Sequence, residues 1–253
     1  VYLLGNGIPT IFKIGLGNFF GTVWKPSKNL YGIVPMIVGS VYVTAGAILI
    51  GVPIGLLCAV YLSRFCPKAI YRVLKPAVEL MAGIPSIVYG FFGLMVIVPV
   101  IQQLTGTSGK SLLTASVLLG IMILPTIISV AESALNAVPE GYYEGSLALG
   151  ATHERSVFSV ILPAAKSGVM SGVILGIGRA IGETMAVIMI AGNQPIMPAG
   201  LLKGLRTMTA NIVLEMGYAS GLHREALIAT GVVLFVFILI INTCFSLLKR
   251  RNG

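Results

Sequence analysis

Five long apolar stretches restrict what this sequence can fold into. They cover roughly residues 34–62, 82–101, 112–134, 167–191 and 226–248. A helix crosses the ~30 Å hydrocarbon core of a bilayer with about 20 apolar residues, and each stretch is long enough to do so. Only 10% of the 253 residues are charged, whereas a soluble domain carries about 25%. Because the runs are continuous rather than alternating, the sequence predicts an all-α polytopic membrane protein with five membrane helices.

The apolar stretches divide the chain into three parts. Residues 34–248 form the predicted transmembrane domain, in which no internal repeat is visible. Residues 1–33 contain glycines and lysines and hold no uninterrupted apolar run long enough to span, so we expect an interfacial, extracytoplasmic segment. Residues 249–253 include three consecutive basic residues and are expected to form a cytoplasmic basic tail.

Basic residues set the expected orientation of the helices. The chain carries 17 Lys and Arg against eight acidic residues, for a net charge of +9. Arg64, Lys68, Arg72 and Lys75 follow the first span, in what the sequence indicates is a short loop. The positive-inside rule makes this loop cytoplasmic. Counting crossings from there places residues 135–166 and the C-terminus in the cytoplasm as well.

The segment 193–225 departs from that rule, because it faces outside and still contains Lys203, Arg206 and Arg224. These charges could serve an anionic ligand. Nucleic acid is not favoured as a partner, because no basic cluster with interleaved aromatic residues is present. The cysteines and histidines show no spacing typical of a metal site.

Arg179 and Glu183 lie inside the fourth apolar stretch. Counted from Ser167, Arg179 is about 18 Å along a helix and Glu183 about 24 Å. A spacing of four residues would place both on one helix face, within reach of each other. A lone charge at mid-membrane costs at least about 2.5–3.5 kcal/mol. The pair is therefore either a buried ion pair that locks helix packing or part of a polar pathway for an anion. The planar arginine fork matches the oxygens of anions such as carboxylates and phosphates.

Four further polar residues are candidates for the same pathway. They are Ser86 and Tyr89 after Pro85, Thr126 after Pro125, and Thr184 beside Glu183. Hydroxyl groups of this kind also stabilise contacts between membrane helices, so packing roles stay open for each of them.

The segment 140–163, "EGYYEGSLALGATHERSVFSVILP", is the most polar piece between spans. It predicts a short helix that ends at Gly150 and a second that ends at Pro163. Small residues let another protein approach closely, and Glu144, Glu154 and Arg155 offer polar contacts. The segment is either a docking site or an ordinary loop helix lying on the membrane.

The spacing of Glu144, Gly150, Leu162 and Pro163 resembles the EAA signature of ABC importer permeases. That signature reads Glu-Ala-Ala, three residues, Gly, nine residues, Ile-x-Leu-Pro. The sequence departs from it at Gly145, Ser146 and Val160, without a change of spacing. The resemblance implies that this loop, including Glu154 and Arg155, couples the chain to a cytoplasmic ATPase.

Three further stretches resemble phosphate permeases of the PstC type. They are "GRAIGETMAV" (178–187), "IPSIVYGFFGL" (84–94) and "GLGNFFGTVW" (15–24). The resemblance implies the transmembrane domain of a type I ABC importer. Such permeases have six helices, so a sixth helix is expected upstream of Val1.

The resemblance also implies what the chain does and with what it assembles. It would move inorganic phosphate by alternating access across the cytoplasmic membrane of a bacterium or archaeon, and it would not be an enzyme. The implied partners are a PstA-like second permease, a PstB-like ATPase dimer and a PstS-like phosphate-binding protein. No cofactor is expected in this chain, since ATP and Mg would be bound by the ATPase.

Other functions remain open at the level of sequence. A permease for another oxyanion, sulfate or molybdate, would use similar residues. A stand-alone channel or secondary transporter is a different class, although inverted repeats, which favour the latter, are not visible. A structural or assembly protein would have little use for buried charges such as Arg179 and Glu183.

Overall fold

The computed structural model describes residues 2–252, and the side chains of residues 2–244. The described chain is almost entirely helical. In chain order the helices are α1 (Tyr2–Ile14), α2 (Leu16–Phe19), α3 (Val34–Val60), α4 (Lys68–Gly83), α5 (Ser86–Phe92), α6 (Val98–Thr105), α7 (Leu112–Asn136), α8 (Glu140–Ala148), α9 (His153–Ser156), α10 (Leu162–Ala164), α11 (Lys166–Gly182), α12 (Met185–Ile190), α13 (Met208–Met216) and α14 (Gly221–Asn252). Two short antiparallel strands, β1 (Trp24–Lys25) and β2 (Leu30–Tyr31), form a hairpin.

Four helical segments are long and apolar enough to cross a membrane, and their bounds are Val34–Phe65, Ser86–Thr105, Leu112–Asn136 and Gly221–Cys244. A bent pair, His153–Ala164 and Lys166–Gly182, whose axes differ by 71°, makes the number five if it is counted as one span. π-helical turns extend α3 and join α5 to α6 and α9 to α10. The prediction of an all-α membrane fold is therefore confirmed, with four continuous spans and the bent pair as the fifth candidate among the described residues. The predicted tail 249–253 lies outside the residues whose side chains are described.

The fourth predicted span, residues 167–191, is not one continuous helix. It begins at the bend before Lys166 and breaks at Glu183 and Thr184, between α11 and α12. A run of apolar residues indicates length but carries no information about such a break, because the break depends on which groups satisfy the backbone locally.

Residues 68–81 were expected in a short basic loop and residues 82–83 at the start of the second span, but together they form helix α4. Apolar residues at helical spacing, Ile70, Val73 and Leu74, alternate with the basic residues that dominated the prediction. The helix ends before Pro85, whose ring disfavours helical backbone at the preceding residue, and Ile84 is extended at φ −69° and ψ 126°. The second span accordingly starts at Ser86 rather than at residue 82.

Helix α7 is the central element of the bundle and the most buried of the spans. Its most extensive contact is with α3, and α11 packs on it as well. A Cβ added to Gly51 of α3 would lie 2.7 Å from Ile123 Cγ1, and one on Gly55 would lie 2.9 Å from Ile127 Cγ2. Small residues at these positions let the two backbones approach closely, which stabilises helix pairs in membranes.

The two ends of the bundle differ in their elements. The end that carries residues 135–166 is called here the loop end. At the opposite end, α1 packs along α14, and the hairpin β1–β2 lies over a second buried cluster. That cluster includes Phe19, Trp24, Tyr31, Met36 and Met208.

Candidate functional site: two helix breaks around Arg179

The chain has two helix breaks next to apolar helices, and the short helices that follow these breaks pack against each other. One break separates α4 from α5 at Ile84 and Pro85, and the other separates α11 from α12. A Cβ on Gly90 of α5 would lie 2.9 Å from the Cα of Ala186 in α12 and 2.8 Å from Met189 Sδ. Only a glycine at position 90 allows this approach, so α5 and α12 hold the two breaks in the same part of the bundle.

Arg179 lies in the last turn of α11, partly buried, just before the second break. Its Nη1 atom donates a hydrogen bond to Thr126 Oγ1 of α7 at 3.3 Å. The Tyr89 hydroxyl donates to the carbonyl oxygen of Met81 at 2.8 Å, across the first break. Two of the predicted pathway residues, Arg179 and Thr126, are therefore in direct contact, and Tyr89 bridges the other break.

Glu183 does not pair with Arg179, so that part of the prediction is wrong. Helix α11 ends at Gly182, and Glu183 is extended at φ −69° and ψ 130°. Its Oε1 accepts hydrogen bonds from the backbone N–H groups of Thr184 (3.0 Å) and Ala186 (3.2 Å). No ion pair joins Glu183 to Arg179 among the described side chains. The four-residue spacing argument holds only within a continuous helix, and here the carboxylate caps the next helix instead.

The two remaining predicted pathway residues also lie at the breaks. Thr184 Oγ1 donates to the carbonyl oxygen of Gly182 at 3.2 Å, across the second break. Ser86 is partly exposed and begins α5 immediately after Pro85. All six predicted residues therefore lie at one of the two breaks or close to it, and two pairs of them bond directly: Arg179 with Thr126, and Glu183 with Thr184.

Two helix starts and Arg179 supply positive potential in this region, and Glu183 supplies a negative charge. The helical segment that starts at Ser86 and the helix that starts at Met185 both begin at a break, where the helix dipole has its positive end. Broken membrane helices use such ends to bind anionic groups. The Glu183 carboxylate already occupies the start of α12 in the way that an anion would. Arg179 adds a permanent positive charge beside it.

A buried carboxylate that sequence reasoning missed lies between the breaks and the loop end. Glu132 of α7 is 2% exposed and accepts hydrogen bonds from the Tyr71 hydroxyl and Lys75 Nζ, each at 2.7 Å. Lys75 Nζ also lies 3.8 Å from exposed Glu79. Buried charges need partners, so the lone glutamate of the third apolar stretch was itself a signal. The partners were missed because α4 was expected to be a loop.

At the loop end, the predicted docking residues form an exposed surface. Helix α8 ends just before Gly150, whose positive φ of 85° favours glycine. Leu149 is 91% exposed. The remaining predicted residues of this surface, Glu144, Glu154, Arg155 and Pro163, are exposed, and Leu162 is partly buried.

This surface is fastened to the end of α3 by polar contacts that the sequence did not reveal. Arg64 donates to the Leu135 carbonyl oxygen through Nη2 at 2.9 Å and meets Glu140 Oε2 through Nη1 at 3.3 Å. The His153 ring lies between the Tyr143 hydroxyl (2.8 Å) and the Arg64 carbonyl oxygen (3.1 Å). Movement of the loop is thereby linked to α3 and α7.

A second buried carboxylate, Glu215, organises the opposite end. It is 6% exposed and accepts from Trp24 Nε1 (2.9 Å), Arg206 Nη1 (2.5 Å) and His223 Nε2 (2.8 Å). Arg206 was a candidate for an external anionic ligand, but its guanidinium is used inside the protein. Burial raises the pKa of Tyr31, which packs beside this cluster and is 2% exposed.

The fold matches the membrane chains of solved ABC importers. A chain of the MetNI methionine ABC transporter in an inward-facing conformation superposes with a TM-score of 0.70, over 91% of this chain and 100% of that one, at 23% identity. A chain of a bacterial alginate ABC transporter superposes with a TM-score of 0.71, over 99% and 88%, at 14% identity. At these identities the likeness defines the class of fold.

Residues 51–252 match the family described as binding-protein-dependent transport system inner membrane component. The chain belongs to this family, and it is a polytopic membrane protein. Among its relatives, the probable ABC transporter permease YqgH of Bacillus subtilis is 40% identical over 87% of this chain and 74% of the relative. The phosphate transport system permease PstC of Xylella fastidiosa is 35% identical over 99% and 85%. A probable PstC of Methanocaldococcus jannaschii is 32% identical over 94% and 82%.

Proposed function

We propose that this chain is the permease subunit through which an ATP-driven importer moves inorganic phosphate across the cytoplasmic membrane. The observation that carries the proposal is Arg179, held by Thr126 between two helix breaks inside the membrane-spanning bundle. The relatives of this chain that are named phosphate permeases align with it over nearly its whole length. ATP hydrolysis belongs to a partner subunit, and this chain acts as a transport component.

The residues at the breaks have different roles in the transport of the anion. Arg179 binds the phosphate oxygens through its planar fork, which replaces part of the hydration that the anion loses. The positive dipole end at the start of α5 adds a weaker attraction. The Glu183 carboxylate competes with phosphate for the start of α12, and its negative charge also repels the anion. Binding at this point is therefore transient, as transport requires.

The remaining surfaces fit the partners of such an importer. An ATPase dimer of the PstB type docks on residues 140–163 at the loop end, which is cytoplasmic, as is the C-terminus. ATP and Mg bind in that dimer. A PstA-like permease completes the pathway, and a PstS-like phosphate-binding protein docks on residues 193–225 at the opposite end. Arg64 and His153 carry the motion of the docked loop to α3 and α7.

Phosphate uptake by Arg179 variants tests this proposal. In proteoliposomes that hold the complete importer, we expect Arg179→Ala to lower uptake at least about tenfold, because hydrogen bonds to charged groups contribute about 1.5–3 kcal/mol. Arg179→Lys keeps the charge but loses the fork, so an intermediate rate is expected. The control is Arg72→Ala, which removes an exposed arginine from α4.

Two outcomes would contradict the proposal. Normal uptake by Arg179→Ala, with the complex intact, would remove Arg179 from the pathway. Inhibition of wild-type uptake by excess sulfate or molybdate, stronger than by unlabelled phosphate, would assign the permease to another oxyanion.

A further inference from the structure

Helix α12 is held at both of its ends by residues 205–209, which belong to the opposite end of the protein. At its start, Thr209 Oγ1 donates a hydrogen bond to the carbonyl oxygen of Glu183 at 3.2 Å. Thr209 is buried and lies in the first turn of α13. The side chain of Glu183 caps α12, and the backbone carbonyl of Glu183 is held by Thr209 of α13.

The other end of α12 is fixed by backbone pairing. The Leu205 N–H donates to the Ala191 carbonyl oxygen at 2.9 Å, and Leu205 also forms a parallel bridge with Gly192. Arg206 Nε donates to the Asn193 carbonyl oxygen at 3.0 Å. Gly192 has a φ of 82°, and a Cβ there would lie 3.0 Å from the Cα of Gly204. The backbone segments around Gly192 and Gly204 are therefore in direct contact.

Residues 205–209 are themselves anchored in the opposite end. Arg206 pairs with buried Glu215, which also holds Trp24 of β1 and His223 of α14. The Met208 N–H donates to Ser40 Oγ of α3 at 3.0 Å. The name outer block is used below for residues 191–193 and 204–216, to which this network of hydrogen bonds joins α12.

The connection from α12 to α11 is different in kind. The two helices are joined by Glu183, whose backbone is extended, and by Thr184, at φ −124° and ψ −55°; neither residue belongs to a helix. Non-helical residues between two helices are where a hinge can absorb a change of backbone angles. Hydrogen bonds to the outer block fix α12, whereas Arg179 lies across the break on α11.

We propose that α12 moves as one body with the outer block, with a hinge at Glu183 and Thr184, and that Thr209 is the positioning residue that transmits this motion to the break. The inference rests on the proposed function, since it supplies the route by which an event at the outer face reaches the anion pathway at Arg179. Thr209 does not touch the anion; it acts through the position of Glu183.

Replacement of the Thr209 hydroxyl tests the inference in the complete importer. Thr209→Val keeps the shape but removes the hydrogen bond to Glu183 and the 3.1 Å contact between the Thr209 and Thr207 hydroxyls, while Thr209→Ser keeps the hydroxyl. The matched control is Thr230→Val, because Thr230 is also buried and bonds only within α14, to the Ala226 carbonyl oxygen. In Thr209→Val we expect the number of phosphates moved per ATP hydrolysed to fall about fivefold, as for the loss of one buried hydrogen bond. The serine variant and the control should stay near wild type.

Amide hydrogen exchange of α12 gives a second measurement that needs no substrate. Exchange over Met185–Ile190 should rise in Thr209→Val and not in Thr209→Ser or Thr230→Val. An unchanged coupling ratio in Thr209→Val, or equal exchange in all variants, would overturn the inference. If wild-type importer moves no phosphate at all, the proposed function fails, and the exchange experiment still decides whether Thr209 holds α12.

Discussion

Glu183 lies where helix α11 ends and helix α12 is about to begin, and its side chain accepts hydrogen bonds from backbone N–H groups there. Backbone N–H groups at the start of a helix have no partner within that helix, and an unsatisfied group in hydrocarbon costs several kcal/mol. The Glu183 carboxylate accepts from two of them, at Thr184 and Ala186. The charge therefore belongs to the architecture of the break as much as to the electrostatics of the pathway.

Substitution of Glu183 separates these two roles. Glu183→Gln keeps an oxygen that can accept from the same N–H groups, so we expect the thermal unfolding midpoint of the purified chain to stay close to wild type. Glu183→Ala leaves the groups without a partner and should lower stability by about 0.5–2 kcal/mol, the usual cost of a lost cap. Equal unfolding midpoints for the alanine variant and wild type would show that the cap contributes nothing.

At the scale of elements, the site exists because two short helices approach closely. Helices α5 and α12 each begin at a break, and their contact brings the two breaks into one region. The approach depends on Gly90, which faces Ala186 and Met189 with no room for a Cβ. The same principle holds at the α3–α7 contact, where Gly51 and Gly55 face isoleucines of α7.

Gly90→Ala tests the close approach. The added methyl group would lie 2.8–2.9 Å from Met189 Sδ and Ala186 Cα, so we expect a loss of about 1–3 kcal/mol in unfolding free energy, as for overpacked cores. Gly141→Ala in α8 is the matched control, because nothing lies within 4 Å of its Cβ position. Alanine there should leave stability unchanged or raise it by about 0.5–1 kcal/mol. Similar effects at the two positions would mean that the α5–α12 contact is not tight.

At the scale of the whole molecule, the two ends of the bundle are built for different tasks. The loop end presents an exposed, partly apolar surface that includes Leu149 and is tied to α3 through Arg64 and His153. The opposite end is tied together internally by Glu215 and its three partners. In sequence, helices α11 and α12 around Arg179 come after the loop end and before residues 193–225 of the opposite end.

The loop surface is tested by a charge placed at Leu149. Because this side chain is 91% exposed, Leu149→Asp should change the stability of the chain by no more than about 0.5 kcal/mol. We expect it to abolish co-purification with the ATPase, since the exposed leucine would be buried at that interface. Leu201→Asp, at an exposed leucine of the 193–225 segment, is the control and should retain the ATPase. Retention by both variants would place the docking site elsewhere.

The spans, the family and one turn of this protein could be predicted from local sequence. The five spans follow from the length of the apolar runs, because a bilayer sets that length directly, and the structure confirms four of them, with the bent pair as the fifth candidate. The EAA-like spacing and the stretch 178–187 indicated the family that the family match then established. The turn at Gly150 was also predictable, because only a local backbone preference is involved.

The tertiary structure alone decided which polar groups meet. Arg179 bonds to Thr126 rather than to Glu183, Arg206 bonds to Glu215 rather than facing outside, and Glu132 holds Lys75 of a helix taken for a loop. In each case the partner lies on another element or across a break, beyond the reach of a periodicity argument. A buried charge must find a partner somewhere; sequence shows that requirement, and only the packed chain shows which partner meets it.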